Sequence, residues 1–157
     1  MIYVCRYETA AGPLLMGANE TAIVALEFRE NSKAVKGAML KENPVLKQAR
    51  AELDQYFAGE RRDFSVPIDP QGTQFQRRVW KALQTIPYGE TRSYKDIAIA
   101  AGCPKGFRAV GLANNRNPIS IIIPCHRVIG SNNKLVGYGG GLAVKEFLLN
   151  LERKQSS

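Results

Sequence analysis

The stretch Pro67-Ile68-Asp69-Pro70-Gln71-Gly72 does most to limit how this chain can fold, because its prolines and glycine interrupt helix and strand alike. Charge divides at the same place. Residues 1–70 carry 9 basic and 10 acidic side chains, a balance of −1, whereas residues 71–157 carry 13 and 4, a balance of +9. A chain of 157 residues split in this way is expected to form a small neutral domain over 1–70 and a basic one over 71–157. With 45% hydrophobic and 23% charged residues, a disordered chain and a coiled coil are both excluded. No stretch approaches the roughly 20 apolar residues that span a bilayer, and the opening Met1-Ile2-Tyr3-Val4-Cys5-Arg6 lacks a secretory pattern. A cytoplasmic monomer without a membrane partner is expected.

Before the break, apolar clusters at 2–7, 14–16 and 23–28 alternate with the turn signals Ala11-Gly12-Pro13 and Gly17-Ala18-Asn19-Glu20, which predicts a small antiparallel meander. Val45, Leu46, Ala49, Leu53, Tyr56 and Phe57 recur at helical spacing, with Asn43 as a cap and Gly59 past the end, so one amphipathic helix is predicted over 44–57. Residues 64–68 read as a short edge strand. The fold class here is α/β, a small antiparallel sheet plus a helix.

After the break the chain becomes helical. Thr73 can cap a helix reaching about Gln84, with Phe75, Val79, Trp80 and Leu83 on its apolar stripe and Pro87-Tyr88-Gly89 beyond its end. Ser93 can cap a second helix over 94–101, stopped by Gly102 and Pro104, and a third fits 107–114. A last helix over 142–153 carries Leu142, Phe147, Leu148 and Leu151 on one side. Two short helices joined by a Gly/Pro-bearing turn have the dimensions of a helix-turn-helix, whose second helix enters a DNA groove. The basic excess on the same half attracts polyanions, which makes double-stranded DNA the expected partner.

Cys5, Cys103 and Cys125 are few, distant and outside any Cys-x-x-Cys pair, so neither a disulfide framework nor a metal site is expected, and no cofactor is indicated. The apolar run 117–124, with a proline near either end, suits a buried segment that delivers Cys125-His126-Arg127 to a fixed place. A cysteine is nucleophilic as thiolate, and His126, the only histidine, can take its proton while Arg127 adds positive charge. Neighbours in an extended strand point to opposite faces, so the pair needs a bend or a bridging water. Glu146 and Glu152 are the downstream carboxylates that could orient the histidine, and spacing alone does not choose between them. Three activities compete at this point: stoichiometric alkyl transfer to cysteine, DNA binding without chemistry, and hydrolysis by a Cys-His pair.

Pro124-Cys125-His126-Arg127-Val128, with Asn117-Pro118 before it and Gly140-Gly141-Leu142-Ala143-Val144-Lys145-Glu146-Phe147-Leu148-Leu149 after it, closely resembles the O6-alkylguanine-DNA alkyltransferases, also called methylated-DNA–protein-cysteine methyltransferases. Phe75-x-x-x-Val79-Trp80, Ile86-Pro87-Tyr88-Gly89-Glu90, Ser93-Tyr94 and Arg108-Ala109-Val110-Gly111 match that family in the same order, so the resemblance runs over about 73–153. The first 70 residues resemble only the layout of the family's ribonuclease-H-like domain. The resemblance implies repair of double-stranded DNA carrying O6-alkylguanine by base flipping, and it leaves open activity on O4-alkylthymine. It makes Cys125 the alkyl acceptor, consumed by one reaction, with His126 taking the thiol proton through a water and Glu152 orienting His126. It ties Asn117 to the active-site turn and has Tyr94 donate toward the base as charge develops. Arg108 fills the gap in the stack from a helix in the minor groove, with Ala109 and Asn114 also on the DNA side. The Val128 carbonyl and the Tyr138-Gly139 loop line the base pocket. Some members bind zinc in the first domain through Cys and His; of that set only Cys5 remains, so none is expected. Asn114-Asn115-Arg116, Ser120 and Gly139 depart from other members in the groove or pocket lining.

Overall fold

Short apolar clusters joined by tight turns fold at the N-terminus into three antiparallel strands: β1 (Tyr3–Thr9), β2 (Gly12–Ala18) and β3 (Ile23–Glu27). The computed structural model describes residues 1–28, 35–130 and 141–156. The β1–β2 turn closes where Thr9 Oγ1 donates to the Gly12 carbonyl at 2.6 Å and accepts from the Ala11 N–H at 3.1 Å. A short β4 (Met39–Leu40) pairs in parallel with β1, so the sheet is mixed, in the order β3-β2-β1-β4. The meander expectation had no fourth strand.

Helix α1 (Pro44–Phe57) lies against β1, β2 and β3 and buries Leu46, Ala49, Leu53 and Tyr56. Asn43 caps it by accepting from the Leu46 N–H at 3.0 Å, while its own amide donates to the Asn19 carbonyl at 3.0 Å. One polar residue thereby starts the helix and ties it to the β2–β3 turn. Residues 64–68 do not form the edge strand expected from their pattern. Only Ile68 bridges Ile23; the Ser65 and Val66 N–H groups donate instead to buried Glu52 Oε1, at 2.7 and 3.1 Å. Pro67 and Pro70 lack the N–H a ladder requires, and Glu52 takes the donors that precede them.

The chain separates into two units, Met1–Gln71 with Pro118–Ser120 and Gly72–Asn117 with Ile121–Ser157. Residues 118–120 join the first unit through a parallel bridge between Ile119 and Leu26, closed by Leu26 N–H to the Pro118 carbonyl and Ser120 N–H to the Leu26 carbonyl, both 2.8 Å. A division at 70/71 alone does not anticipate this excursion, and it places Ser120 with the first unit's sheet.

In the second unit α2 (Gln74–Leu83) starts at a reciprocal cap between Thr73 and Gln76 and buries Val79, Trp80, Ala82 and Leu83. The Trp80 indole N–H donates to the Ala113 carbonyl at 2.8 Å, pinning α2 to α4. α3 (Tyr94–Ala100) starts at a second reciprocal cap, Ser93 with Asp96, and packs on α4 (Phe107–Asn115). α5 (Leu142–Ser156) closes the unit. Its buried positions are Lys145, Leu148, Leu149 and Glu152, whereas Leu142 and Phe147 are exposed, so the helix is rotated from the side its leucines suggest. Among the described residues no helix is long and apolar enough to cross a membrane. Cys5 lies beside Arg50 and Glu42, and a guanidinium next to its sulfur does not fit a zinc ligand set.

Candidate active site

A parallel pair of short strands assembles the site. β5 (Arg92–Ser93) runs directly into α3, and β6 (Val128–Ile129) directly follows a 3-10 turn over Cys125–Arg127. Pairing Arg92 with Val128 and Ser93 with Ile129 therefore brings Tyr94 to the Cys125 turn. Pro124, at φ −80 and ψ 64, makes an inverse γ-turn closed by the Cys125 N–H to the Ile123 carbonyl at 2.8 Å. The same carbonyl accepts from the Asn117 amide at 2.7 Å, so two donors fix the approach to the cysteine. Just upstream, buried Ile121 has φ 72, a left-handed conformation that strains a β-branched residue. The strain falls on the segment that presents Cys125.

The turn supplies the bend that a Cys-His neighbour pair needs, since 3-10 neighbours diverge by about 120° rather than 180°. His126 is fully buried, and its Nε2 lies 2.7 Å from Glu152 Oε2. Burial, joined by the Arg127 and Lys145 charges, lowers the imidazole pKa against the opposing pull of Glu152, so His126 is neutral at rest. The Nε2–H then donates to Glu152, and Nδ1 is left as a bare acceptor that is buried without a hydrogen-bond partner among the described residues. That atom is set to take up a proton.

Burial alone would raise the Glu152 pKa, but its hydrogen bonds and charge partners hold it well below the usual carboxylate range. Arg127 donates through Nε to Glu152 Oε1 at 2.8 Å and through Nη2 to Oε2 at 3.0 Å, a bidentate clamp, while Nη1 donates to the Ile86 carbonyl at 2.7 Å. The guanidinium also sits 5.7 Å above the Tyr88 ring. Gly89, at φ 81, brings its N–H to 3.3 Å from Glu152 Oε1, and a Cβ there would collide with Ser156. Arg127 is thus bound to the carboxylate rather than free to favour the thiolate, a role the sequence reading did not assign. Glu146 is exposed on α5, away from this cluster.

Cys125 is 4% exposed. Burial, then the charge of Cys125, pushes the Tyr94 phenol up, which sets Tyr94 within electrostatic reach of the sulfur. Lys145, fully buried, is pushed down to about 8 by burial, with the charge of Cys125 acting against that shift. An ammonium there favours a thiolate. Lys145 escaped the sequence reading, although its spacing from Leu148, Leu149 and Glu152 marks it as part of the inward stripe.

Arg108 and Ala109 are exposed on α4, beside exposed Phe107. Asn115 and Arg116 are exposed too, but Asn114 is 1% exposed and turned inward. Its expected groove-side placement fails because α4 carries it round to the side of buried Val110. Val128 is fully buried in β6. Tyr138 and Gly139 lie outside the described residues.

Comparison with known proteins bears on this arrangement. Residues 74–154 match the model for the 6-O-methylguanine DNA methyltransferase DNA-binding domain, and residues 2–70 match that for the ribonuclease-like domain of the same proteins. The chain belongs to the 6-O-methylguanine DNA methyltransferase family. A methylated-DNA–protein-cysteine methyltransferase of Methanosarcina barkeri is 50% identical over 153 residues, 96% of this chain and 97% of that protein. The Mycobacterium tuberculosis O6-methylguanine methyltransferase structure has 44% identity and a TM-score of 0.91, covering 100% of this chain and 96% of that one. A structure of the M. tuberculosis OGT in complex with DNA has 45% identity and a TM-score of 0.90, covering 98% of this chain and 94% of that one. This 6-O-methylguanine DNA methyltransferase family member therefore shares the fold of both units with solved relatives along nearly its whole length.

Proposed function

We propose that this chain repairs double-stranded DNA by direct reversal, moving a methyl or larger alkyl group from O6 of an extruded guanine onto Cys125, with O4-alkylthymine as a second candidate substrate. The observation that carries this reading is His126, held by Glu152 at 2.7 Å with Nδ1 left open, next in the chain to a buried cysteine in a member of this family. His126 takes the thiol proton through a water. The sulfur attacks the alkyl carbon in line, forming the S–C bond as the C–O6 bond breaks and its electron pair passes to the guanine. Tyr94 donates a hydrogen bond to the base as that charge develops, and the guanine then takes a proton from solvent. The product thioether resists hydrolysis, so each molecule acts once.

Arg108 would occupy the gap left by the base, with α4 against the minor groove and Ala109 allowing close approach. The Val128 carbonyl would face the base, and Asn117 keeps the Cys125 turn in place. The protein would act as a monomer in the reducing cytoplasm, where the acceptor stays a thiol.

The test is the mass of the protein after incubation with duplex DNA containing O6-methylguanine. A gain of one methyl group on Cys125, saturating at one equivalent, is expected. Unchanged mass, or turnover beyond one equivalent, would overturn the reading. Cys125→Ala should keep DNA binding and lose all transfer.

A further inference from the structure

One buried polar group on α4 has no part in that scheme. Among the described residues neither Oδ1 nor Nδ2 of Asn114 has a hydrogen-bond partner, although the residue is 1% exposed. Native folds seldom keep a buried carboxamide with both ends unmatched, because its desolvation is uncompensated.

Its neighbours along α4 relate it to the acceptor turn. α4 turns about 100° per residue, so Phe107, Gly111 and Asn114 lie within about 60° of one another on one face. Phe107 stands at the exposed end of that face. At Gly111 the Tyr94 ring lies against the helix, its Cδ1 and Cε1 each 3.7 Å from where a Cβ would stand, and Tyr94 in turn feels the charge of Cys125. On the other side the Asn117 N–H donates to the Asn114 carbonyl at 3.3 Å, and the Asn117 amide holds the Ile123 carbonyl that also receives the Cys125 N–H. The unmatched amide thus shares a helix face with the glycine that the Tyr94 ring covers, and its main chain is tied to the residue that fixes the Cys125 turn.

We propose that Asn114 is a specificity-determining residue that reads the extruded purine, an inference that rests on the alkyl-transfer reading above. Alkylation at O6 turns N1 of guanine from a donor into an acceptor while the 2-amino group remains a donor. A carboxamide is the complement of that edge: Nδ2–H donates to N1 and Oδ1 accepts from the 2-amino group. Ordinary guanine presents two donors there and matches only the oxygen. Asn114 therefore discriminates damaged from undamaged base, and loses half its match once the alkyl group has gone.

The test compares single-turnover transfer from duplexes carrying O6-methylguanine or O6-methylhypoxanthine, which lacks the 2-amino group. The unaltered protein should react about tenfold faster with the guanine adduct, the worth of one buried hydrogen bond. Asn114→Leu should lose that preference while unfolding at the same or higher urea concentration. Asn114→Asp keeps the acceptor and loses the donor, so it should react more slowly with both bases and retain the preference; it also carries the comparison if the leucine variant does not fold. A leucine variant that keeps the preference, or an aspartate variant that loses it, would overturn the proposal. If the unaltered protein transfers from neither base, the alkyl-transfer reading itself fails.

Discussion

Glu152 organises the site at the scale of single residues, because one carboxylate takes four polar contacts: two from Arg127, one from His126 and one from the Gly89 N–H. The clamp keeps the carboxylate ionised, and the ionised carboxylate keeps the His126 tautomer with Nδ1 open. Removing that charge leaves Arg127 buried and unpaired. Glu152→Gln should therefore cost about 3–5 kcal/mol of stability in urea unfolding, and the protein that remains folded should transfer more slowly at neutral pH. Unchanged stability would show that the Arg127 charge is matched elsewhere.

Local chemistry sets the start of α2 and α3, and these two starts place the site at the scale of elements. Thr73 and Ser93 each open a helix with a reciprocal cap, and the second leads straight from β5 into Tyr94. Thr73→Ala should cost about 1 kcal/mol in urea unfolding and leave the transfer rate per folded molecule unchanged. Ser93→Ala should cost a similar amount and also slow transfer, since it loosens the turn that aims Tyr94. Equal transfer rates in the two variants would argue that Tyr94 is held by packing rather than by the cap.

For the whole molecule, buried titratable groups predict how stability varies with pH. Burial puts the His126 pKa below its ordinary 6.5, so as pH falls past that value the unfolded chain takes up a proton before the fold does, and stability declines. Glu152 adds to the decline at lower pH: its stabilisation is complete above the unfolded carboxylate's pKa and is lost as pH falls toward its depressed folded one. Lys145 acts on the alkaline side. Its ammonium is buried at a cost below about 8, and stability gains as pH rises from there toward 10.5, where the unfolded lysine also loses its proton. Urea midpoints measured from pH 8 downward should fall steadily, and a flat profile between pH 8 and 4 would contradict the neutral assignment of His126. The +9 balance of residues 71–157 predicts that affinity for duplex DNA drops steeply with added salt.

Helix starts and periods were legible in the sequence because they are written within about a dozen neighbouring residues. Asn43, Thr73 and Ser93 cap where expected, and α1 to α4 fall within a residue or so of their predicted bounds. The adjacency of Cys125 and His126 was equally plain, and the family resemblance pointed to Glu152, which the structure brings to 2.7 Å from His126. Long-range pairing was not legible: Met39 beside Tyr3, Arg92 beside Val128 and Ile119 beside Leu26 each join segments whose own patterns are too short to name a partner. The inward side of α5 was misjudged for a related reason. Hydrophobic pattern treats charge as outward-facing, yet Lys145 and Glu152 are buried because Cys125, His126 and Arg127 meet them from elsewhere in the chain. Asn114 follows the same logic. Which polar groups a fold can bury depends on what stands opposite them, and that is set only when distant segments come together.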